Sequence, residues 1–417
     1  MNKKLKVLVC AYACLGDPDR RFGSGGEGFL GWNLVRQLAC FCQVFVLTHS
    51  QNRVIIEKAQ RNENLQNLKL FYLDLPPFLD FLRRFQGGIQ FYAYLWQIRA
   101  YFLARKLHRK IHFDVFHHLT YANDWMASFI GALLPLPYIR GPGGGAQQVP
   151  KIFLSEFSFK DRLFQYLRSF GQWLFRHDPF FILSQARAKV ILVCNRESLE
   201  KIPKKWQAKV RLFPVNGISE EDLNLLSKFE KKDNNRFKVL SAGKLLAIKG
   251  FSVAIKAFKN FLDKFPEAEL EIIGDGPELL RLKNLSQNLK IRDKVRFKKW
   301  MPRNEFLEEL AGCDVFLFLS LRDGGGEVVV EAMAAQKPVV CLDIAGPGFH
   351  INDECGIKIK PYSLQQTIQE VADALARLKA DKELATRLAK KARKKAEEFY
   401  RWEKLGERLV KIYQEII

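Results

Sequence analysis

The chain has 417 residues, 48% of them apolar, and Lys+Arg 67 against Asp+Glu 45 gives a formal net charge of +22. That length leads to an expectation of two domains, and the apolar share, with 34 Phe, fills two cores and excludes a disordered chain. No run approaches the ~20 apolar residues of a membrane span, and the eight cysteines form no C-x-x-C pair, which suits free thiols in a reducing compartment and leaves no zinc motif.

A charge this large suits an anionic partner: a phosphorylated substrate, an anionic membrane or nucleic acid. Residues 1–15 carry three lysines and then VLVCAYACL. That pattern fits a short signal peptide as well as a first buried strand over residues 6–11, and the alternation downstream favours the strand. A polar loop follows over residues 16–24. Asp17, Pro18 and Asp19 within it resemble a D-x-D metal motif, but such a motif should follow several strands, so no metal is assigned. Gly25, Gly26, Glu27 and Gly28 then open a helix through about Ala39. Strand, glycine loop and helix make a generic phosphate turn. It is not a G-x-G-x-x-G, and no acid ends the next strand, residues 44–48, to hold a ribose. Glu27 reads as a stabiliser of its helix N-terminus.

Residues 78–113 and 157–181 interleave aromatic and basic side chains. Both predict amphipathic helices with cationic polar faces. They fit core helices with a charged outer side, or helices that dock on an anionic bilayer. Interleaved Arg and aromatics also suit single-stranded nucleic acid, but no module signature for specific binding is present. Residues 114–118 end a strand, which places His117 and His118 at a carboxyl end facing a cleft. Residues 138–140 lead into Gly141, Pro142, Gly143, Gly144 and Gly145, a loop that lets backbone approach a ligand. Strands over residues 190–194 and 210–213 close this half.

In the second half, residues 239–242 predict a strand followed by Gly243 and Lys244, then Lys249, Gly250 and a helix to Phe265. Two lysines beside a glycine turn and a helix start make a phosphate clamp. A strand over residues 269–273 ends at Gly274, and another over residues 295–297 precedes Trp300. The densest stretch is residues 320–340, SLRDGGGEVVVEAMAAQKPVV, between a buried strand at 315–319 and another at 338–342. Ser320, Asp323, Gly324, Gly325, Gly326, Glu327 and Val328 then sit at a strand's carboxyl end, where open α/β sheets bind ligands. The helix that starts there offers N–H groups to an anion. Asp323 and Glu331 are two helical turns apart, so both look toward one cleft if the first lies in the lead-in loop.

This stretch resembles the donor signature of the retaining nucleotide-sugar glycosyltransferases of family 4, which have the GT-B fold. Glu331, Ala332, Met333, Ala334, Pro338, Val339 and Val340 match; Asp323 stands where Glu is usual, and Gln336 where Gly is usual. Gly243, Lys244, Leu245, Lys249 and Gly250 are similar to the family's diphosphate site, with Lys244 in place of Arg. Gly25 and Gly26 resemble its first glycine loop, and residues 214–218 its hinge. The likeness is strong over residues 244–340 and weaker over 1–217.

The resemblance implies an α/β GT-B fold, with two Rossmann-like domains facing each other across a cleft. Residues 1–215 would bind acceptor, residues 216–399 would bind donor, and a last helix at about 400–417 would pack back on the first domain. It implies a metal-independent, retaining hexosyl transfer from a nucleoside-diphosphate sugar, a substrate and not a cofactor, to a glycan or lipid-linked acceptor. The setting implied is bacterial cell-envelope polysaccharide assembly, in the cytoplasm or peripherally on the inner face of the plasma membrane. Under it Lys244 and Lys249 meet the leaving diphosphate, Glu331 the ribose and Asp323 the sugar hydroxyls. Trp300 lines the base pocket, His117 or His118 contacts sugar or acceptor, and Gly143, Gly144 and Gly145 lie on the acceptor side. The alternatives are a GT-B phosphorylase or hydrolase, or a non-catalytic basic protein that binds membrane or nucleic acid.

Overall fold

Two parallel β-sheets organise the chain in the computed structural model, which describes residues 4–16, 26–84, 87–229 and 236–417. The first sheet contains β1 (Lys6–Ala11), β2 (Gln43–Thr48), β3 (Leu68–Tyr72), β4 (Val115–Thr120), β5 (Tyr138–Gly143), β6 (Val190–Val193) and β7 (Val210–Leu212). The second contains β8 (Lys238–Ala242), β9 (Glu269–Ile273), β10 (Val295–Lys298), β11 (Val315–Phe318), β12 (Val339–Leu342) and β13 (Gly356–Ile359). Their orders are β3-β2-β1-β4-β5-β6-β7 and β10-β9-β8-β11-β12-β13. The order reverses beside β1 and β4 in one sheet and beside β8 and β11 in the other. Such switch points open a crevice at the carboxyl ends of the strands. β4, β11 and β12 are buried along their whole length, as strands covered by helices on both faces must be.

Two cross-links join the halves. The last helix, Trp402–Ile416, places Leu405, Leu409 and Tyr413 in one core with Val7 and Val9 of β1 and with Leu34 and Leu38 of the helix Glu27–Phe41. The chain enters that helix by pairing with the hinge, the Ile218 amide donating to the Tyr400 carbonyl at 2.8 Å. In the other direction, residues 149–157 leave the first sheet and bury Phe153 and Phe157 among Phe251, Val253 and Phe258 of the second domain. Burying a Phe side chain is worth ~1.5–3 kcal/mol, so this segment is an anchor. Lys256 and Glu156 seal it with an ion pair at 2.7 Å. All eight cysteines are free thiols, and seven of them are buried.

The main departure from the sequence expectation in this region is at β4. It runs to Thr120, two residues past His118, so both histidines lie inside the strand and away from its end. β3 and β13 were not anticipated. Each is a short edge strand without a strong apolar run.

Candidate active site

The two sheets face each other across a cleft of about 500 Å³. One wall grows from β8 and β11. After β8, Gly243 turns the chain and Lys244 stands exposed at the mouth. A single 3-10 turn, Ala247–Lys249, then brings Lys249 to the wall. After β11 the chain reaches Asp323, whose carboxylate takes Lys249 as an ion-pair partner. The same carboxylate accepts the amides of Gly325 at 3.2 Å and Gly326 at 2.8 Å. Asp323 therefore shapes the glycine turn as well as facing the cleft. Burial pushes its carboxyl up, but Lys249 and the two amides outweigh that and hold it below the ordinary range. The group is ionised at neutral pH.

The helix Glu327–Ala334 starts at Gly326, whose φ of 67° is the left-handed conformation that glycine adopts without strain. Gly326, Glu327 and Val328 line the cleft, so the positive end of the helix dipole points into it. Gly325 carries no side chain for a separate reason. A Cβ there would lie 2.7 Å from the Asn216 side chain of the hinge. Trp300 completes this wall.

The opposite wall is assembled from distant segments. Gly26, Glu27, Asn123, Gly144, Gly145 and Gln147 line it. Glu27 is occupied by the Tyr121 amide, and burial raises its carboxyl above the usual range. Arg168, on the helix Phe159–Arg176, donates to the carbonyls of Gly145 and, at 3.2 Å, Gln147. Gln172 on the same helix donates to the Gly145 carbonyl at 2.7 Å. Asp124 ties the loop from below, taking the Ala146 amide at 3.2 Å and the Ser198 hydroxyl at 2.6 Å. Across the cleft, Asn195 donates to the Gly324 carbonyl at 3.0 Å and Arg322 donates to Gln165. Arg168 and Arg322 both lose basicity. Burial is the first cause in each, and for Arg168 the neighbouring Arg322 is the next. Two half-buried guanidinium groups close to one another are a place where an anion is stabilising.

Several expected site residues lie elsewhere. His117 is fully buried between the Tyr413 hydroxyl, at 2.6 Å, and the Gly141 carbonyl. A carbonyl only accepts, so Nε2 carries the proton and Nδ1 accepts from Tyr413. Burial lowers its pKa to about 4. His118 projects to the other face of the sheet, where burial and then Arg140 hold it far below its usual value. Both histidines are fixtures of the fold, because β4 continues past them. Glu331, a turn deeper than Glu327, is drawn to Arg303 at 2.5 Å and does not line the cleft. Arg303 in turn grips Asp222 through two bonds of 2.8 and 2.6 Å. Ser320 is buried and donates to the Ile248 carbonyl at 3.3 Å, tying the Lys249 turn to β11. Gly274 lies beneath Gly243: a Cβ there would sit 2.0 Å from the Gly243 carbonyl oxygen. Gly143 is the buried last residue of β5 and does not line the cleft, which Pro142, Gly144 and Gly145 do. Gly25 and Asp17, Pro18 and Asp19 fall outside the described residues.

Sequence reasoning missed Arg168, Arg322, Asn195 and His350. Arg322 had one signal, its place beside Asp323. His350 had none. It is buried, donates to the Gly325 carbonyl from Nε2 and receives the Tyr400 hydroxyl on Nδ1 at 2.9 Å. It thereby links the glycine turn to the start of the last helix.

Comparison with known proteins agrees with this architecture. Residues 224–395, within the second half of the chain, match the family described as glycosyl transferases group 1. An uncharacterized glycosyltransferase of Haemophilus influenzae is 30% identical over 202 residues, which are 46% of this chain and 54% of that protein. The lipopolysaccharide core biosynthesis glycosyltransferase LpsE of Rhizobium meliloti is 31% identical over 154 residues, 37% of this chain and 42% of that protein. The chain thus spans about half the length of these relatives. Anabaena HepE, solved in complex with UDP, superposes with a TM-score of 0.62 at 15% identity, covering 99% of this chain and 100% of that one. The fold is GT-B: two parallel-sheet α/β domains with the cleft between them.

Proposed function

We propose that the chain transfers a sugar from a nucleoside-diphosphate sugar to a glycan or lipid-linked acceptor, with retention at the anomeric carbon. The observation that carries this reading is the wall on β8 and β11, which it makes the donor side. Lys249 and Asp323 are paired on a glycine turn at a helix N-terminus, with Lys244 and Arg322 beside them and Arg168 on the opposite wall. Lys244, Lys249 and Arg322 would meet the charge that grows on the leaving diphosphate, which is the step where fixed cations accelerate transfer most. Asp323 would accept a hydrogen bond from a sugar hydroxyl on Oδ2, the oxygen that it shares with Lys249, since the Gly325 and Gly326 amides both take Oδ1. Trp300 offers an aromatic face to the base. The turn formed by Gly144 and Gly145 faces the acceptor.

The cations perform the electrostatic role that a divalent metal plays in other transferases, so transfer is expected to survive a chelator. HepE binds UDP, which makes uridine nucleotides the first to try. The naming of LpsE supports cell-envelope polysaccharide assembly as the setting. The test is calorimetric titration with a panel of nucleoside diphosphates and their sugars, followed by product analysis. One saturable donor and a product with the donor's anomeric configuration are expected. No saturable nucleotide binding overturns the reading. Turnover that requires inorganic phosphate turns it into a phosphorylase.

A further inference from the structure

The helix Phe159–Arg176 is amphipathic in the inverted sense. Its outer stripe is apolar: Phe159, Leu163, Leu167, Phe170, Trp173 and Leu174 recur every three or four residues and are exposed, Phe159 by 81%, Phe170 by 63% and Trp173 by 55%. Its inner stripe is polar. Gln165 accepts from Arg322, and Arg168 and Gln172 donate to the carbonyl of Gly145. Only Gln172 is fully buried along the helix. The next helix, Pro179–Arg187, continues the outer face with Phe180, Ile182 and Leu183. Tyr94 packs on Phe175 and bonds Asp178 at 2.9 Å, fixing both helices on the domain body. A monomeric protein in water does not leave a contiguous apolar face of this kind without a use for it.

We propose that this face is a docking surface for an anionic lipid bilayer. Exposed cations stand at both ends of the apolar stripe, Lys160 and Arg162 at the start and Arg187 and Lys189 beyond the second helix. Apolar residues flanked by Lys and Arg are the chemistry of an interfacial helix, which inserts its apolar side while its basic side chains meet anionic headgroups. No helix among the described residues is long and apolar enough to cross a membrane, so the contact is in-plane. A second copy of this chain fits less well, since each brings a net charge of +22 and the copies repel. The consequence for chemistry rests on the transferase reading. Lipid and cleft are served by opposite faces of one helix, so a lipid-linked acceptor in the bilayer lies one helix diameter from the Gly144 and Gly145 loop.

The experiment is co-sedimentation of the full chain with phosphatidylcholine vesicles, with and without phosphatidylglycerol, at low and high salt. The comparison is with a Phe170→Ser, Trp173→Ser double variant and with Lys160→Glu, Arg162→Glu. Wild type is expected to bind the anionic vesicles, and added salt to weaken binding. The aromatic pair is expected to lower the partition coefficient ~10-fold or more, and the charge pair to lower it for anionic vesicles. Thermal melts confirm that the variants fold. Equal binding to neutral vesicles, no binding to anionic ones, or a salt-resistant dimer that the aromatic pair dissolves each overturns the proposal. Nucleotide titration of the same variants separates the two readings. Absent nucleotide binding in wild type counts against the transferase, whereas nucleotide binding with no vesicle binding counts against the docking face alone.

Discussion

The two walls of the cleft solve one problem by different means. The wall on β8 and β11, the donor side under the proposed function, is local. Residues 243–250 and 320–328 are short loops at the ends of neighbouring strands, and their backbone turns do most of the shaping. The opposite wall, the acceptor side under the proposed function, is a gathering of distant side chains. Asn123, Gln147, Arg168 and Cys194 reach it from four segments, held by bonds across tens of residues. A wall built from local turns tolerates change only through residues of one type at one place. A wall built from long-range bonds can be altered piecemeal, which under the proposed function suits the side that would meet the acceptor. Substitutions on the two walls should therefore separate donor effects from acceptor effects.

The largest effect is expected at Asp323. Asp323→Ala removes the partner of Lys249 and both bonds to the glycine turn. Transfer per folded molecule should fall ~10²-fold or more, as lost positioning does, with ~1 kcal/mol of stability lost from the cap-like bonds. Asp323→Asn separates the roles, because its amide oxygen still accepts the Gly325 and Gly326 amides but carries no charge. If Asp323→Asn restores wild-type turnover, Asp323 is only a turn-former and the comparison of walls loses its chemical half. Asp323→Glu should also be impaired, since the longer side chain displaces the turn.

Next comes Lys249→Ala. It should weaken nucleoside-diphosphate binding by ~1.5–3 kcal/mol, the range for charged hydrogen bonds, or roughly 10- to 150-fold in Kd. Calorimetry on the folded variant checks it, and an unchanged Kd removes Lys249 from the phosphate site. On the other wall, Arg168→Gln should leave donor affinity near wild type and raise the acceptor KM by about 5-fold, the equivalent of ~1 kcal/mol for a loosened loop. Should donor Kd move as much as acceptor KM, the two walls are not independent and the distinction fails.

The same contrast explains what was legible in the sequence. The strand and glycine-turn alternation around Gly243, Lys249 and Asp323 could be read because each chemical group sits within a few residues of the strand that places it. Period and composition carry that information. The inverted helix could not be read correctly. Its pattern of aromatics and arginines gives the right amphipathic period but does not say which face meets the body, and Arg168 points inward because the Gly145 and Gln147 carbonyls are there to receive it. Glu331 matched a motif, yet Arg303, nearly thirty positions away, turns its carboxylate from the cleft. His117 and His118 failed for a local reason: a strand two residues longer than expected moves a side chain from the rim to the interior.

The smallest effect on transfer, and the one that tests this last correction, is at His117. As a residue of the fold it should affect stability and its pH dependence, with turnover per folded molecule unchanged in His117→Phe. Its folded pKa of about 4 lies below the ordinary 6.5. Between these values the unfolded chain binds a proton that the folded chain refuses, so stability rises with pH through that window and is lost as pH falls from about 6.5 toward 4. His350, lowered to about 4 by burial, adds a slope of the same sign. Removing His117 should flatten the slope by one proton's worth, at a cost of ~1–3 kcal/mol at neutral pH from the abandoned Tyr413 hydroxyl and Gly141 carbonyl. Tyr413→Phe loses the hydroxyl partner but keeps the titrating ring, so its slope should persist. Denaturant midpoints of the two variants at several pH values decide the matter. A large fall in turnover for His117→Phe, with the stability slope unchanged, would return this histidine to the chemistry of the cleft.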